Sequence, residues 1–209
     1  MWTLFGSPGS GSAALEIALD RCRVPYRVLR AASWEPDSAL DELRRANPLC
    51  QVPTLQFDDG SVMTESAAIL IHLGLTFPAS RLLPADDAAR AQALRGLVFI
   101  AANCYAAIGV IDYPERWCEG GDEAVHERIR AGARRRLHLY WDLFADQFGA
   151  APCLEGDPPG ALGILAAVVS RWSGARAHLR QSRPALLTAL EHIEANPAAA
   201  PVFKRHWPP

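Results

Sequence analysis

The sequence lacks an excess of charge of either sign and any clustering of metal ligands. Its 21 basic residues nearly balance 23 acidic ones, which gives a net charge of −2 and a pI of about 6.3. We therefore expect no electrostatic field that would attract nucleic acid or an anionic membrane. The six histidines form no H-x-x-x-H pair and do not cluster with cysteine, so no metal site is predicted. A small molecule or another protein is the expected partner.

The cysteines are too few and too scattered to form a disulfide framework or a zinc site. They are Cys22, Cys50, Cys104, Cys118 and Cys153, an odd number with no C-x-x-C pair. Such a set favours a reducing compartment, so we expect a cytoplasmic protein. No basic segment precedes an apolar one at the N-terminus, and no signal peptide is expected. The longest uncharged run, 96–111, is too short to span a bilayer comfortably and predicts a buried core helix.

In the first third of the chain, short apolar runs alternate with helical periodicity. Apolar runs predict strands at 2–5, 26–29, 54–57 and 61–63, the last two joined as a hairpin by the turn at 58–60. Helical spacing of Ala14, Leu15, Ala18, Leu19 and Cys22 predicts the first helix, and further helices are predicted at 38–46 and 64–76. Ser12 is the expected N-cap of the first helix. The order βαβαββα predicts a small α/β layer fold.

Beyond a linker marked by prolines, every periodic segment is helical. Helices are predicted at 88–110, 122–148, 161–172 and 184–195. The longest of these keeps a single apolar stripe over about seven turns. We therefore predict an α/β domain at 1–77, a linker at 78–86 and an all-helical domain at 87–209.

Two motifs in the first domain point to a small-molecule site. A cis bond between Val52 and Pro53 would leave the backbone of Val52 free to pair with an extended, peptide-like ligand. Glu65 and Ser66 lie in the first turn of a predicted helix, where unpaired amides and the helix dipole favour an anion. There a serine can bind a carboxylate and a glutamate can bind an ammonium group. The alternative is that Thr64 caps this helix and Glu65 only complements its dipole.

Three stretches, "LFGSPGSGSAALEIAL", "NPLCQVPTL" and "TESAAILIHL", make the chain similar to the glutathione transferase superfamily over essentially its whole length. The opening is most like bacterial soluble transferases related to the beta and zeta types. The resemblance implies a thioredoxin-like domain followed by an all-α domain. It also implies a cytoplasmic, homodimeric detoxification enzyme, with no metal, nucleic acid or membrane partner. Such an enzyme stabilises the thiolate of glutathione, its co-substrate, and transfers it to a small hydrophobic electrophile.

The resemblance also implies roles for the residues of the two motifs. Val52, ahead of a cis Pro53, would pair through its backbone with the cysteinyl unit of glutathione. Glu65 and Ser66 would hold the γ-glutamyl group, and Gln51 would reach toward the glycyl end.

The residue that activates the thiol is left open by the sequence. A free thiol has a pKa near 8.5, so a hydrogen-bond donor must stabilise the thiolate at neutral pH. Phe5 and its neighbours offer no tyrosine, and Gly11 matches the position at which beta-type proteins carry a cysteine. Ser10 and Ser12 are then the candidate catalytic residues. Ser10 is favoured because Ser12 is expected to cap the helix, and Ser7 is a third candidate.

Residues of the second domain are expected to line the pocket for the electrophile. The candidates are Asn103, Tyr105, Tyr113 and Trp117. The alternative is that these aromatic residues belong to the core, and that the asparagine satisfies a buried backbone group or contacts a partner subunit.

Cys50 stands where the family pattern N-P-x-G-x-V-P has glycine, which predicts a positive φ at this residue. A mixed disulfide between Cys50 and glutathione is a possible redox role. Two rival functions stay open: a glutathione-dependent peroxidase or disulfide reductase, and a non-catalytic glutathione-transferase-like interaction protein. The second rival is favoured by the stretch 160–163, which lacks the Ser/Thr-x-x-Asp capping box that is common in the family.

Overall fold

The strands of the N-terminal region form one mixed sheet. They are β1 (Trp2–Gly6), β2 (Tyr26–Arg30), β3 (Thr54–Gln56) and β4 (Val62–Met63), in the order β2-β1-β3-β4. β1 runs parallel to β2 and antiparallel to β3, and β3 is antiparallel to β4. The computed structural model describes residues 1–35, 37–149, 154 and 156–208.

Helices cover both faces of this sheet. They are α1 (Ser12–Cys22), α2 (Leu40–Ala46) and α3 (Ser66–Thr76). Successive residues of a strand point to opposite faces, so Leu4 joins the main core with α1 and α3, whereas Phe5 packs with Leu43 of α2. The order βαβαββα confirms the predicted thioredoxin-like α/β fold.

The predicted starts of these helices need correction. Ser12 is not an N-cap: Gly11 holds that position and makes no side-chain cap hydrogen bond, so Ser12 is the first helical residue. The second and third helices each begin two residues later than predicted, at Leu40 and Ser66. The hydroxyl of Ser38 bonds the backbone of the preceding turn instead, donating to the carbonyls of Ala32 and Glu35.

The remainder of the described chain is helical, as predicted. Its helices are α4 (Asp87–Phe99), α5 (Ala106–Asp112), α6 (Glu123–Phe148), α7 (Ala161–Val169), α8 (Ala175–Ser182), α9 (Pro184–Ala195) and α10 (Ala200–His206). A π-helical segment, Ile100–Tyr105, joins α4 to α5. The sequence did not predict this segment, α8 or α10, because a π turn and a helix of two turns leave little periodic signal.

The wholly buried helix α7 joins the two regions. Every residue of Ala161–Val169 is buried, and the helix packs against α1, α3, α4 and α9. One apolar cluster therefore runs from the sheet into the helical region, and it includes Leu82 and Leu83 of the predicted linker. The boundaries at 77/78 and 86/87 stay a prediction. Gly160 caps α7 without a side-chain hydrogen bond, which confirms that the capping box is missing.

By length and composition alone, one helix of the described residues would be able to cross a membrane. It is the continuous segment Asp87–Asp112, 26 residues long, and 39% of its most apolar window is buried inside the protein. This helix extends well beyond the uncharged run at 96–111. Core helices of soluble proteins have the same length and composition, so these two properties are weak evidence for a membrane span.

The C-terminal helix α10 docks on α1 through a buried polar cluster. His206 Nε2–H donates to Glu16 Oε1 at 2.7 Å, and Arg205 donates to Glu16 Oε2 at 3.1 Å. The other ring nitrogen, Nδ1, accepts the backbone N–H of Gly9 at 3.2 Å. The imidazole is therefore neutral, with its proton on Nε2. Burial alone would raise the pKa of Glu16, but the hydrogen bonds from His206 and Arg205 and the charge of Arg205 hold this pKa below its usual value.

Replacing Glu16 with glutamine should lower the free energy of unfolding by about 1–3 kcal/mol at pH 7, because a charge-assisted hydrogen bond is lost from a buried site. A carboxyl group with a lowered pKa stabilises the fold above its unfolded value of 4.5. The difference between wild type and E16Q should therefore shrink as the pH falls below that value. Urea denaturation across pH measures both effects.

Glu119→Gln is the matched control, since Glu119 is exposed in a loop and should change stability by less than about 0.5 kcal/mol. A stability difference for E16Q that is as small as the control's, or that grows at acid pH, would contradict the assignment of Glu16.

Candidate functional site

A cavity of about 920 Å³ opens between the α/β region and the helical region. Its α/β side consists of residues 9–11, 33–34, 47, 49–53 and 64–67. Its helical side consists of residues 101, 105–106, 108–109, 112–113, 116–117 and 172. The cavity thus brings together most of the residues predicted from sequence, namely Ser10, Gln51, Val52, Pro53, Glu65, Ser66, Tyr105, Tyr113 and Trp117. Ser12 and Asn103 are not on its surface.

The turn ahead of β3 presents an unpaired backbone to this cavity. The Val52–Pro53 bond is cis, as expected, and Cys50 has φ 52°, which confirms the predicted positive φ. Among the hydrogen bonds of the described residues, none uses the backbone of Val52. Its N–H and C=O are therefore available to pair with an extended ligand.

Asn47, which the sequence patterns did not single out, holds this turn with its buried side chain. Asn47 Nδ2 donates to the Gln51 carbonyl at 3.2 Å and to Thr54 Oγ1 at 3.0 Å, while Oδ1 accepts from Leu49 N–H at 3.1 Å. The only signal in the sequence was the Asn-Pro dipeptide, which is typical of turns in general.

The start of α3 has an unusual backbone. Glu65 is the N-cap residue with φ 65°, its side chain is exposed, and it makes no capping hydrogen bond. The alternative that Thr64 caps the helix is therefore wrong. The first-turn amides of a helix have no intrahelical partners and carry its positive dipole end. Ser66 is 7% exposed and faces the same cavity, so this turn can receive a carboxylate.

The loop between β1 and α1 uses its serines to hold its own shape. Ser10 Oγ accepts from the amides of Ser7 and Ser12 at 3.3 and 3.2 Å, and lies 3.0 Å from Ser12 Oγ. Ser12 Oγ donates to the Ser7 carbonyl at 3.4 Å, and Ser7 Oγ donates to Glu35 at 2.5 Å. Each candidate hydroxyl thus has protein partners already.

The helical region fixes this loop at Gly9. Gly9 has φ 73°, a conformation that glycine adopts without strain. Trp172 Nε1–H donates to the Gly9 carbonyl at 3.1 Å, and the Gly9 N–H is bonded to His206. Both polar groups of this peptide residue are therefore held by side chains of the second region.

Gly11 leaves the space that a tyrosine from the helical region fills. A Cβ atom at Gly11 would lie 2.6 Å from Tyr105 Oη, 3.2 Å from Pro53 Cδ and 3.5 Å from Ser66 Oγ. The Tyr105 hydroxyl is also 3.4 Å from Ser66 Oγ. Burial raises the pKa of Tyr105 to about 12, so the phenol is protonated at neutral pH.

The other predicted pocket residues divide into two groups. Tyr113 and Trp117 line the cavity beside Arg116, whose guanidinium lies 3.9 Å from the Tyr113 ring centroid. Trp117 is 64% exposed and therefore not a core residue. Asn103 Nδ2 donates to the Phe99 carbonyl at 3.0 Å, as the alternative interpretation expected.

The thiols differ in their access to the cavity. Cys50 lines it and is half-buried, whereas Cys104 is buried in the core, where desolvation raises its pKa to about 12. Cys153 lies outside the described residues. In the part of the chain that the structure describes, no group of three or more His, Cys, Asp or Glu side chains is arranged to hold a metal ion.

Comparison with known proteins identifies the protein family that the chain resembles. Residues 12–76 match the family model described as glutathione S-transferase, N-terminal domain. The uncharacterized GST-like protein YncG of Escherichia coli K12 is 32% identical over 158 residues, which are 75% of this chain and 75% of that protein. A probable maleylacetoacetate isomerase of Caenorhabditis elegans is 36% identical over 103 residues, 49% of this chain and 46% of that protein.

A solved structure shows the same fold. The crystal structure of a glutathione transferase homologue from Sulfitobacter, with bound glutathione, superposes with a TM-score of 0.83. The two sequences are 22% identical, and the match covers 98% of this chain and 97% of that one. The identity and coverage of the Escherichia coli relative, together with the family model, show that this chain belongs to the glutathione transferase superfamily.

Proposed function

We propose that this protein is a glutathione transferase that binds glutathione in the cavity between its two regions and transfers the thiolate to a small hydrophobic electrophile. The observation that carries the proposal is the meeting of two binding elements in one cavity. These are the unpaired backbone of Val52 ahead of cis Pro53, and the first turn of α3 with Glu65 and Ser66. They suit the peptide part and the amino-acid end of glutathione, respectively.

The same geometry supports the remaining proposed contacts. Gln51 lies next to Val52 on the cavity wall and would face the glycyl end of the tripeptide. Aromatic side chains on the opposite wall, Tyr113 and Trp117, offer apolar surface to the electrophile. Ser10 and Ser12 stay predictions as catalytic residues. The homodimer, the cytoplasmic location and the role in detoxification likewise stay predictions.

The proposed reaction is a substitution at carbon. The thiol proton leaves to solvent, the sulfur forms a bond to the electrophilic carbon, and the leaving group departs with the electron pair of its own bond. Holding the thiolate next to a bound electrophile makes this step effectively unimolecular. Stabilising the thiolate raises the fraction of co-substrate that can react at neutral pH.

Ser66→Ala and Glu65→Ala should each weaken glutathione binding about 10–100-fold, because each removes a hydrogen bond to a charged group. Isothermal titration calorimetry measures the dissociation constants. Glu191→Ala, an exposed change on α9, serves as the control and should bind like wild type. Unchanged affinity in both variants would contradict this part of the site.

Turnover separates this proposal from its two rivals. An activated aryl halide reports conjugation, hydrogen peroxide reports a peroxidase, and a mixed disulfide of glutathione reports a reductase. Binding of glutathione without turnover of any of these, or of a broader electrophile panel, would favour the non-catalytic interaction protein.

A second candidate is isomerisation of an acidic, unsaturated substrate. Relatives from Caenorhabditis elegans and Drosophila melanogaster are named probable maleylacetoacetate isomerases. Arg116 on the cavity wall supplies a cation that suits a carboxylate. In this reaction the thiolate would add to one carbon of a double bond, the resulting single bond would rotate, and elimination would release the thiol unchanged.

Glutathione consumption distinguishes the two reactions. Conjugation should consume one glutathione for each product molecule, whereas isomerisation should consume none. If the acidic substrate is the physiological one, Arg116→Gln should raise its KM about 10-fold and leave the KM of a neutral aryl halide unchanged. Equal effects on both substrates would show that Arg116 does not recognise a carboxylate.

Cys50→Ser should retain full conjugation and thiol-transfer activity, because Val52 offers its backbone and not its side chain to the ligand. Cys50→Gly should in addition relieve the strain of a side chain at φ 52°, which is worth about 1–2 kcal/mol. Activity assays and urea denaturation measure the two effects. A loss of thiol-transfer activity in Cys50→Ser would instead support the mixed disulfide.

A further inference from the structure

The proposed function needs a hydrogen-bond donor at the glutathione sulfur. The hydroxyl groups of the loop serines are already used in hydrogen bonds within the loop. A serine hydroxyl has one proton and two lone pairs. Ser10 uses both lone pairs on the amides of Ser7 and Ser12. Because the proton of Ser12 goes to the Ser7 carbonyl, the proton of Ser10 goes to Ser12 Oγ. Donation from Ser10 to a ligand would break a bond that shapes the loop.

Tyr105 brings a different hydroxyl to the same place. Its Oη lies against the backbone of Gly11, 2.6 Å from where a Cβ would be, and 3.4 Å from Ser66 Oγ. The position is bounded by the first turn of α1, the ring of cis Pro53 and the first residue of α3. The last two of these elements are the ones that the proposed function assigns to the binding of glutathione.

The phenol of Tyr105 is fixed in position, and its hydroxyl can donate a hydrogen bond. The Tyr105 ring packs on Trp172, with centroids 5.8 Å apart, and Trp172 is itself bonded to Gly9. Burial raises the pKa of Tyr105 to about 12, which keeps the hydroxyl protonated. Its hydrogen bond to Ser66 is long, at 3.4 Å, so a charged acceptor would be a better partner.

We propose that Tyr105, from the π-helical segment of the second region, donates the hydrogen bond that stabilises the glutathione thiolate. This inference rests on the proposed function. It also accounts for Gly11, since any side chain at this position would collide with the phenol. Ser10 then shapes the loop, and Tyr105 is the catalytic residue.

The experiment is a titration of the bound thiol in wild type, Tyr105→Phe and Ser10→Ala, followed by the ultraviolet absorbance of the thiolate. Phenylalanine keeps the ring against Trp172 and removes only the hydroxyl. In Y105F the pKa of bound glutathione should rise by about 1–2 units, and kcat/KM at pH 7 should fall about 10–100-fold. The dissociation constant of glutathione should change less than about threefold. Ser10→Ala should raise the thiol pKa less than Y105F does, because it loosens the loop but leaves the phenol donor in place.

Gly11→Ala tests the close approach independently. In the wild-type background its new methyl group should displace the phenol and raise the thiol pKa about as much as Y105F does. In the Y105F background, where the hydroxyl is gone, the same change should have little further effect.

The results distinguish a failure of the proposed function from a failure of the assignment of Tyr105. Wild-type protein that does not bind glutathione overturns the proposed function and this inference together. Normal binding with an unchanged thiol pKa in Y105F overturns the assignment of Tyr105 alone. A shift of the thiol pKa in Ser10→Ala but not in Y105F returns the catalytic role to the serine.

Discussion

The bonding of Gly9 to the helical region is the constraint on which the candidate site depends. Trp172 donates to the Gly9 carbonyl, and His206, itself held by Glu16, accepts the Gly9 N–H. A glycine-rich loop has many conformations in the absence of such partners. With both polar groups of Gly9 fixed, the start of α1 has one position relative to Tyr105. The position of the loop is therefore set by side chains of the helical region.

Two of the five non-glycine residues with positive φ in the described chain line the same cavity. Cys50 and Glu65 are non-glycine residues with φ of 52° and 65°, and both line the cavity with Gly9. Side chains in this region of φ cost roughly 1–2 kcal/mol each, and such strain is common at functional sites. At Cys50 the turn leads into the unpaired backbone of Val52, and at Glu65 it exposes the first turn of α3. The strained residues thus shape the two surfaces that would meet glutathione.

The sequence predicted features that depend on neighbours along the chain. Alternation and helical spacing gave the order βαβαββα, and the motifs around Val52 and Ser66 gave the α/β wall of the cavity. The prediction of Ser12 as an N-cap was wrong because the preceding glycine takes the cap position without a side chain. The hydrogen bonds of Ser10 were also not predictable, because a serine in a turn has several possible partners and the sequence does not show which of them it uses.

The fold class, the family resemblance and half of the cavity wall were predictable from the sequence, because periodicity and short motifs act over a few residues. Which side chains of the helical region complete the site was not predictable, because it depends on long-range packing. Trp172 and His206 reach Gly9 across 163 and 197 positions of the chain, and Tyr105 reaches Ser66 across 39. Contacts of this kind arise when buried α7 packs the two regions together. In the sequence, an aromatic residue that will line a cavity has the same local pattern as one that will fill the core.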